Sequence, residues 1–291
     1  MPGLASEQVL AQLLTTADRA LKVDVLVVVA HPDDEVIGAG AQLPRWPTAR
    51  FLHVTDGAPA NQRDAWEAGF TSREAYAQAR RGEVERALSL AGVGPAQIMS
   101  LGVVDQEASL SLADLAQSIA GVIREISPDV ILTHPYEGGH PDHDATCFAV
   151  HTACRELHEE KLPPPPIVEM TSYHNRGGMM ATGEFLPARG SPVITVGLSS
   201  EQQAFKQRLF NCFTSQQRVL SYFPIGSESF RLAPAYHFTR PPHPGILYYE
   251  LFDWGMNGNR WRALAREALI QFGRGDEAKP EFEKAHVFHG P

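Results

Sequence analysis

The sequence predicts an α/β fold, a mostly parallel Rossmann-like sheet with helices on both faces. Three observations carry that expectation. Short apolar runs rich in β-branched residues recur, as parallel strands buried on both faces require. Amphipathic segments of helical length separate them. The two patterns alternate strand, helix, strand through the first half of the chain.

Residues 1–20 read as an amphipathic helix. They lack the basic start and apolar block of a signal peptide. Val25–Ala30 is the first strand, and Pro32 to about Ala41 opens a helix. Arg50–Thr55 is the second strand, followed by a charged helix over Ser72–Ala91 that stops at Gly92. Gln97–Leu101, the helix Leu110–Ile126 and Asp129–Thr133 continue the rhythm, and Asp142 to about Glu159 is helical. Lys161–Pro166 (KLPPPP) is a stiff break. Beyond it, Ile167–Tyr173, Pro192–Val196 and Leu247–Phe252 read as strands, and Ser200–Phe213 and Trp261–Phe272 as helices. Glycine and methionine in 175–192 suggest a lid. One domain over 1–291 is expected, its core at about 20–160, with 161–291 completing the sheet edge and the pocket walls.

Composition excludes several classes. A net charge of −9 argues against a nucleic-acid surface, and no apolar run is long enough to span a bilayer. Three cysteines, with Cys147 and Cys154 on one helical face, suit burial in a reducing cytoplasmic compartment. A homo-oligomer is compatible with all of this.

Two tetrapeptides carry the chemistry: His31-Pro32-Asp33-Asp34 and His140-Pro141-Asp142-His143. Each follows a strand and opens a helix, with proline suited to the first helical turn. In the usual doubly wound order, strands one and four are neighbours, so both motifs meet at one crevice. Crowded carboxylates repel unless a cation sits among them. His31, Asp34 and His143 make a ligand set for one zinc ion, although other divalent ions such as iron suit two imidazoles and a carboxylate. Metal-activated water would then be the nucleophile, with Asp33 as general base. His140 would support the oxyanion or the leaving amine, and Asp142 would orient His140. A dinucleotide site is excluded, because carboxylates stand where a pyrophosphate would sit. A two-metal phosphoesterase would need more ligands. A pure metal store has no use for Asp33.

Ala30-His31-Pro32-Asp33-Asp34-Glu35 resembles the AHPDDE signature of the LmbE-like, or PIG-L, de-N-acetylases, and Gly139–His143 resembles that family's second signature. The resemblance implies one zinc ion and hydrolysis of an N-acetylated amino sugar or glycoconjugate, with His31, Asp34 and His143 as ligands. An amidase acting on a non-sugar N-acyl or thiol-conjugate molecule is the alternative. The resemblance also implies substrate-binding roles for Arg80, in Arg80-Arg81-Gly82-Glu83, and for Asp105, in the loop after strand three. Some relatives carry a tyrosine two residues before the equivalent of His140, where this chain has Gly138. Other residues read as structural. His134 shapes a loop, His53 lies in the core, and Tyr222, Phe223, Phe230, Tyr236 and Phe238 pack. Asp56 reads equally as a turn residue or a partner to the site.

Overall fold

A computed structural model describes residues 23–278 together with Gln8, Leu10, Leu13 and Leu14. Those four belong to the expected N-terminal helix and are helical, and the three leucines are buried. The remainder of that helix and the tail beyond 278 lie outside the described residues.

The elements that position the site are β1 (Val25–Val29), α1 (Asp34–Ala39), β2 (Arg50–Pro59), α2 (Arg73–Leu90), β3 (Ile98–Asp105), α3 (Leu112–Ile126), β4 (Val130–Thr133) and α4 (Pro141–Glu159). They are followed by β5 (Ile167–Met170), β6 (Tyr173–Arg176), β7 (Met179–Thr182), β8 (Ile194–Gly197), α5 (Ser200–Phe210), β9 (Ser227–Leu232) and α6 (Gly258–Gln271). Seven strands form one sheet in the order β3-β2-β1-β4-β5-β9-β8. The first five are parallel, and β9 and β8 add antiparallel at the far edge. Strands β1 and β4 are neighbours in register, Val25 opposite Val130. The strand adjacency that the expected crevice requires is therefore present.

The all-apolar sequence of β1 follows from its central position. Leu26 and Val28 point into a core shared with α3, α4 and α6. Val25, Val27 and Val29 point into the opposite core, shared with α1, α2 and α5. Cys147 and Cys154 are free thiols buried in the first of these cores. Among the described residues, no helix is long and apolar enough to cross a membrane.

Several expected elements differ. β3 runs on to Asp105, because the lengthened β2 pairs with it as far as Pro59 opposite Asp105. Asp105 thus ends a strand rather than lying in a loop. The segment expected as a strand at Leu247–Phe252 is a tight helical turn over Tyr248–Leu251. The Glu250 carboxylate explains this: it accepts the N–H groups of Leu247 and Gly258, both at 2.8 Å, and curls the backbone. The expected lid segment carries the β6–β7 hairpin, and Ile167–Tyr173 divides into β5 and β6.

Candidate metal centre

β1 feeds into α1 through a short turn. Thr55 Oγ1 donates to Ala30 O at 2.9 Å, tying that turn to β2. The His31 backbone N–H donates to Asp34 Oδ2 at 2.7 Å and folds that carboxylate back over the strand end. In the second motif His140 caps α4, its Nδ1 accepting the Asp142 backbone N–H at 3.2 Å, and Pro141 takes the first helical position. His143 lies in the first turn of α4. Strand adjacency brings it opposite His31.

Three donor groups meet there, both Asp34 oxygens taking part. His31 Nδ1 lies 3.1 Å from His143 Nε2 and 3.3 Å from Asp34 Oδ2, and His143 Nε2 lies 3.2 Å from Asp34 Oδ1. Tetrahedral zinc, with nitrogen and oxygen ligands at roughly 2.0–2.2 Å, spaces its donors about 3.3 Å apart. The triangle therefore fits one small divalent cation. Both imidazoles are also held from behind. His31 Nε2 lies 3.0 Å from Asp105 Oδ1, and His143 Nδ1 lies 3.0 Å from Ser172 Oγ. A proton on each rear nitrogen leaves both front lone pairs facing the triangle.

Two other clusters fit a cation less well. His31, Asp105, His140 and Asp142 come together, but that grouping uses His31 Nε2, the nitrogen that carries the proton toward Asp105. Cys147, His151 and Glu169 also converge, but the Glu169 oxygens are taken by Arg231 and the Tyr236 hydroxyl at 2.7 Å each. A guanidinium at that spot repels a metal ion.

Electrostatics suit the first triangle. Burial pushes the His143 pKa down to about 4, against the pull of Asp34, so the ring is neutral as a ligand must be. Burial also disfavours the charged forms of Asp34 and His31, but their neighbours prevail. The imidazoles of His143 and His134 hold Asp34 well below the usual carboxylate range, and Asp105, Asp142 and Asp34 hold His31 well above the usual imidazole range.

Asp33 stands beside the ligands. Its Oδ2 accepts a 2.8 Å hydrogen bond from Arg80 Nη2, and Arg80 Nη1 donates to Gly57 O at 2.8 Å. Gly57 is at φ +68°, and a Cβ there would stand 2.8 Å from the guanidinium carbon. Only glycine permits that approach. Burial raises the Asp33 pKa to about 6, with Arg80 opposing and Asp34 adding to the rise. Arg80, expected to bind substrate, reaches the centre but grips the candidate base.

His140 Nδ1 accepts an amide proton and cannot carry one, so the neutral ring bears its proton on Nε2. Burial, then His31, keeps its pKa well below the usual value. Asp142 is placed differently from expectation. Its oxygens accept the N–H groups of Gln106 at 2.6 Å and Ala108 at 3.1 Å. Its nearest imidazole nitrogen is His31 Nε2 at 3.5 Å, while His140 Nδ1 is 4.0 Å away. It braces the turn after β3 and faces His31. Asp105, expected on sugar hydroxyls, likewise meets His31. Glu35 leaves the centre and pairs with the buried His53 at 3.3 Å. Asp56 accepts from Ala58 N at 3.0 Å and from Arg73 at 2.6 Å, and so anchors a turn.

The sequence marks His134 as shaping a loop and does not mark Ser172, yet both reach the centre. His134 Nε2 accepts the Ala30 N–H at 3.0 Å and lies 3.2 Å from Asp34 Oδ2, and its ring stacks on His143 at 4.1 Å. Its place at the carboxyl end of β4 was the available signal. Ser172, behind His143, carried none.

A family model described as PIG-L, GlcNAc-PI de-N-acetylase, matches residues 26–154. The chain is 32% identical over 152 residues to a probable N-acetyl-alpha-D-glucosaminyl L-malate deacetylase 2 of Bacillus cereus, covering 50% of this chain and 68% of that protein. It is also 32% identical over 149 residues to a 1D-myo-inositol 2-acetamido-2-deoxy-alpha-D-glucopyranoside deacetylase of Kineococcus radiotolerans, spanning only 41% of that protein's length. Among solved structures, a deacetylase in the biosynthesis pathway of teicoplanin superposes with a TM-score of 0.56 at 19% identity, covering 72% of this chain and 96% of that one. At that identity the likeness speaks for the fold alone.

Proposed function

Because the chain belongs to the PIG-L de-N-acetylase family, we propose that it hydrolyses the N-acetyl amide of an amino sugar or glycoconjugate, with one divalent cation, zinc by donor type, held by His31, Asp34 and His143. The observation that carries this reading is the triangle of donors 3.1–3.3 Å apart with the Asp33 carboxylate beside it. A cation held there supplies Lewis acidity toward an acyl oxygen and toward water.

The chain's own groups do the rest. Asp33 takes the proton of the attacking water as its oxygen bonds to the acyl carbon. A pKa of about 6 leaves it ionised at neutral pH yet basic enough for the transfer. His140, neutral and protonated on Nε2, donates to the acyl oxygen as negative charge gathers there. When the carbon–nitrogen bond breaks, Asp33 returns its proton to the departing amine, and acetate and free amine leave. Arg80 fixes the Asp33 carboxylate, and Asp105 and Ser172 fix the imidazoles.

Acetate release from N-acetylglucosamine glycosides, measured with a chelator and after zinc is restored, tests the reading. Turnover that stops with the chelator and returns with metal is expected. Asp33→Asn should keep the metal and lose about 10²–10⁴-fold in rate. Full activity in that variant would overturn the role of Asp33, and chelator-resistant turnover would overturn the metal.

A further inference from the structure

The matched region ends at residue 154, yet one wall of the centre comes from beyond it. Aromatic rings run in a closed circuit from one centre histidine to another. His140 lies 4.7 Å from Trp254, Trp254 stacks on Phe252 at 4.6 Å, and Phe252 meets Tyr248 at 5.1 Å. Tyr248 meets Tyr173 at 5.6 Å, Tyr173 meets His143 at 5.3 Å, and His143 closes the circuit to His140 at 5.3 Å. These spacings are those of favourable aromatic pairs.

The wall is anchored to the second motif. Tyr248 N donates to Gly138 O at 2.8 Å, and Asn175 Nδ2 donates to Ile246 O at 2.7 Å. A Cβ on Gly139 would come within 2.0 Å of Tyr173 O, so β6 lies directly against the loop that carries His140. Trp254 backs onto the core. Phe252 nevertheless stays 41% exposed, and Tyr248 is half-buried. A rigid stacked pair with open ring area, continuous with the catalytic imidazoles, is what a binding surface needs.

We propose that Tyr173, Tyr248, Phe252 and Trp254 form the subsite for the group carried by the acylated sugar, and that this subsite selects an uncharged, apolar aglycone over an anionic one. The proposal rests on the deacetylase reading and narrows its substrate class. Ring faces offer contact area to an apolar group. A carboxylate laid against the ring faces loses hydration and meets the negative side of each ring's quadrupole.

The experiment compares kcat/KM for the phenyl α-glycoside of N-acetylglucosamine, the methyl α-glycoside and N-acetylglucosaminyl malate, using zinc-loaded full-length protein. The phenyl compound should exceed the methyl one by about tenfold, equivalent to roughly 1.4 kcal/mol, and the malate should fall below both. Phe252→Ala should bring the phenyl-to-methyl ratio toward one, and Phe252→Leu should retain part of it, both with unchanged Tm. Quenching of tryptophan fluorescence by the phenyl glycoside, lost in Trp254→Phe, reads the wall without catalysis. Acetate released from all three without phenyl preference, or a preference for malate, overturns the subsite and leaves the deacetylase reading standing. Quenching through Trp254 without turnover of any compound supports the subsite and overturns that reading. The absence of both quenching and preference overturns the subsite.

Discussion

Arg80→Met should move the acid limb of the pH–rate profile upward. In the native protein Arg80 lowers the Asp33 pKa against a burial effect that raises it. The pair is buried and its contact is 2.8 Å. A charge-assisted hydrogen bond of this kind is worth about 1.5–3 kcal/mol. At 1.36 kcal/mol per pH unit, its loss raises the Asp33 pKa by about one to two units. The sign is fixed, because a base works deprotonated and a raised pKa leaves less of it ionised. Below the shifted limb the rate should drop by roughly ten- to hundredfold, and it should recover on the alkaline side. The assay is kcat against pH with saturating zinc, and Arg80→Lys should fall between the two proteins. A loss uniform across pH, in a variant with native circular dichroism, would refute Arg80 as the tuner of Asp33 and leave it a structural residue.

Three further outcomes follow from particular contacts. Ser172→Ala removes the partner of His143 Nδ1 and should weaken zinc binding about 10–100-fold in competition with a chelator; unchanged affinity would show that Ser172 does not set the tautomer. Gly139→Ala places a methyl within 2.0 Å of Tyr173 O and should cost about 1–3 kcal/mol in urea unfolding, whereas a native midpoint would show that β6 yields freely. Glu228→Leu strands the ammonium of Lys206, which lies 2.9 Å from that carboxylate and also binds Ile37 O. It should destabilise by about 3–5 kcal/mol, and a loss under about 1 kcal/mol would mean that solvent reaches Lys206.

The residues of the centre were legible because their chemistry is local. His31 and Asp34 are one helical turn apart, and the Asp34 carboxylate folds back to its own motif's backbone. Periodicity gave the order of the first four strands and their helices, and the parallel pattern implied that β1 and β4 adjoin. Partnerships across long separations were not legible. The Asp142 carboxylate is expected to orient His140, two residues away, yet it accepts its hydrogen bonds from Gln106 and Ala108 on another strand's turn. Asp105 looked like a loop residue because no local feature shows that β2 continues to Pro59 and carries β3 with it. The apolar run at Leu247–Phe252 has strand composition, and a single carboxylate, Glu250, curls it into a turn. The aromatic wall escaped for a similar reason. Its rings come from β6 and from 248–254, and only the docking of both on Gly138 and Gly139 reveals that they share a surface.

Proton placement shows why that distinction matters for the chemistry. The motifs supply His31, His140 and His143 as nearly equivalent imidazoles, any of which has the composition of a ligand or an acid. A neutral ring has one proton, and the partner on one nitrogen decides what the other can do. Asp105 draws the proton of His31 to Nε2, and Ser172 accepts the proton of His143 from Nδ1, so each presents a bare nitrogen to Asp34. At His140 the backbone N–H of Asp142 occupies Nδ1, and the proton is forced to the far side. On the proposed reading, a carboxylate, a hydroxyl and an amide make two of these imidazoles ligands and the third a donor. Two of those three stand on elements remote from the motif they control. The motif therefore specifies which groups are present, and the doubly wound sheet, by bringing the end of β3 from beyond β2 and the end of β5 from beside β4 toward the two motifs, sets the partner each one meets.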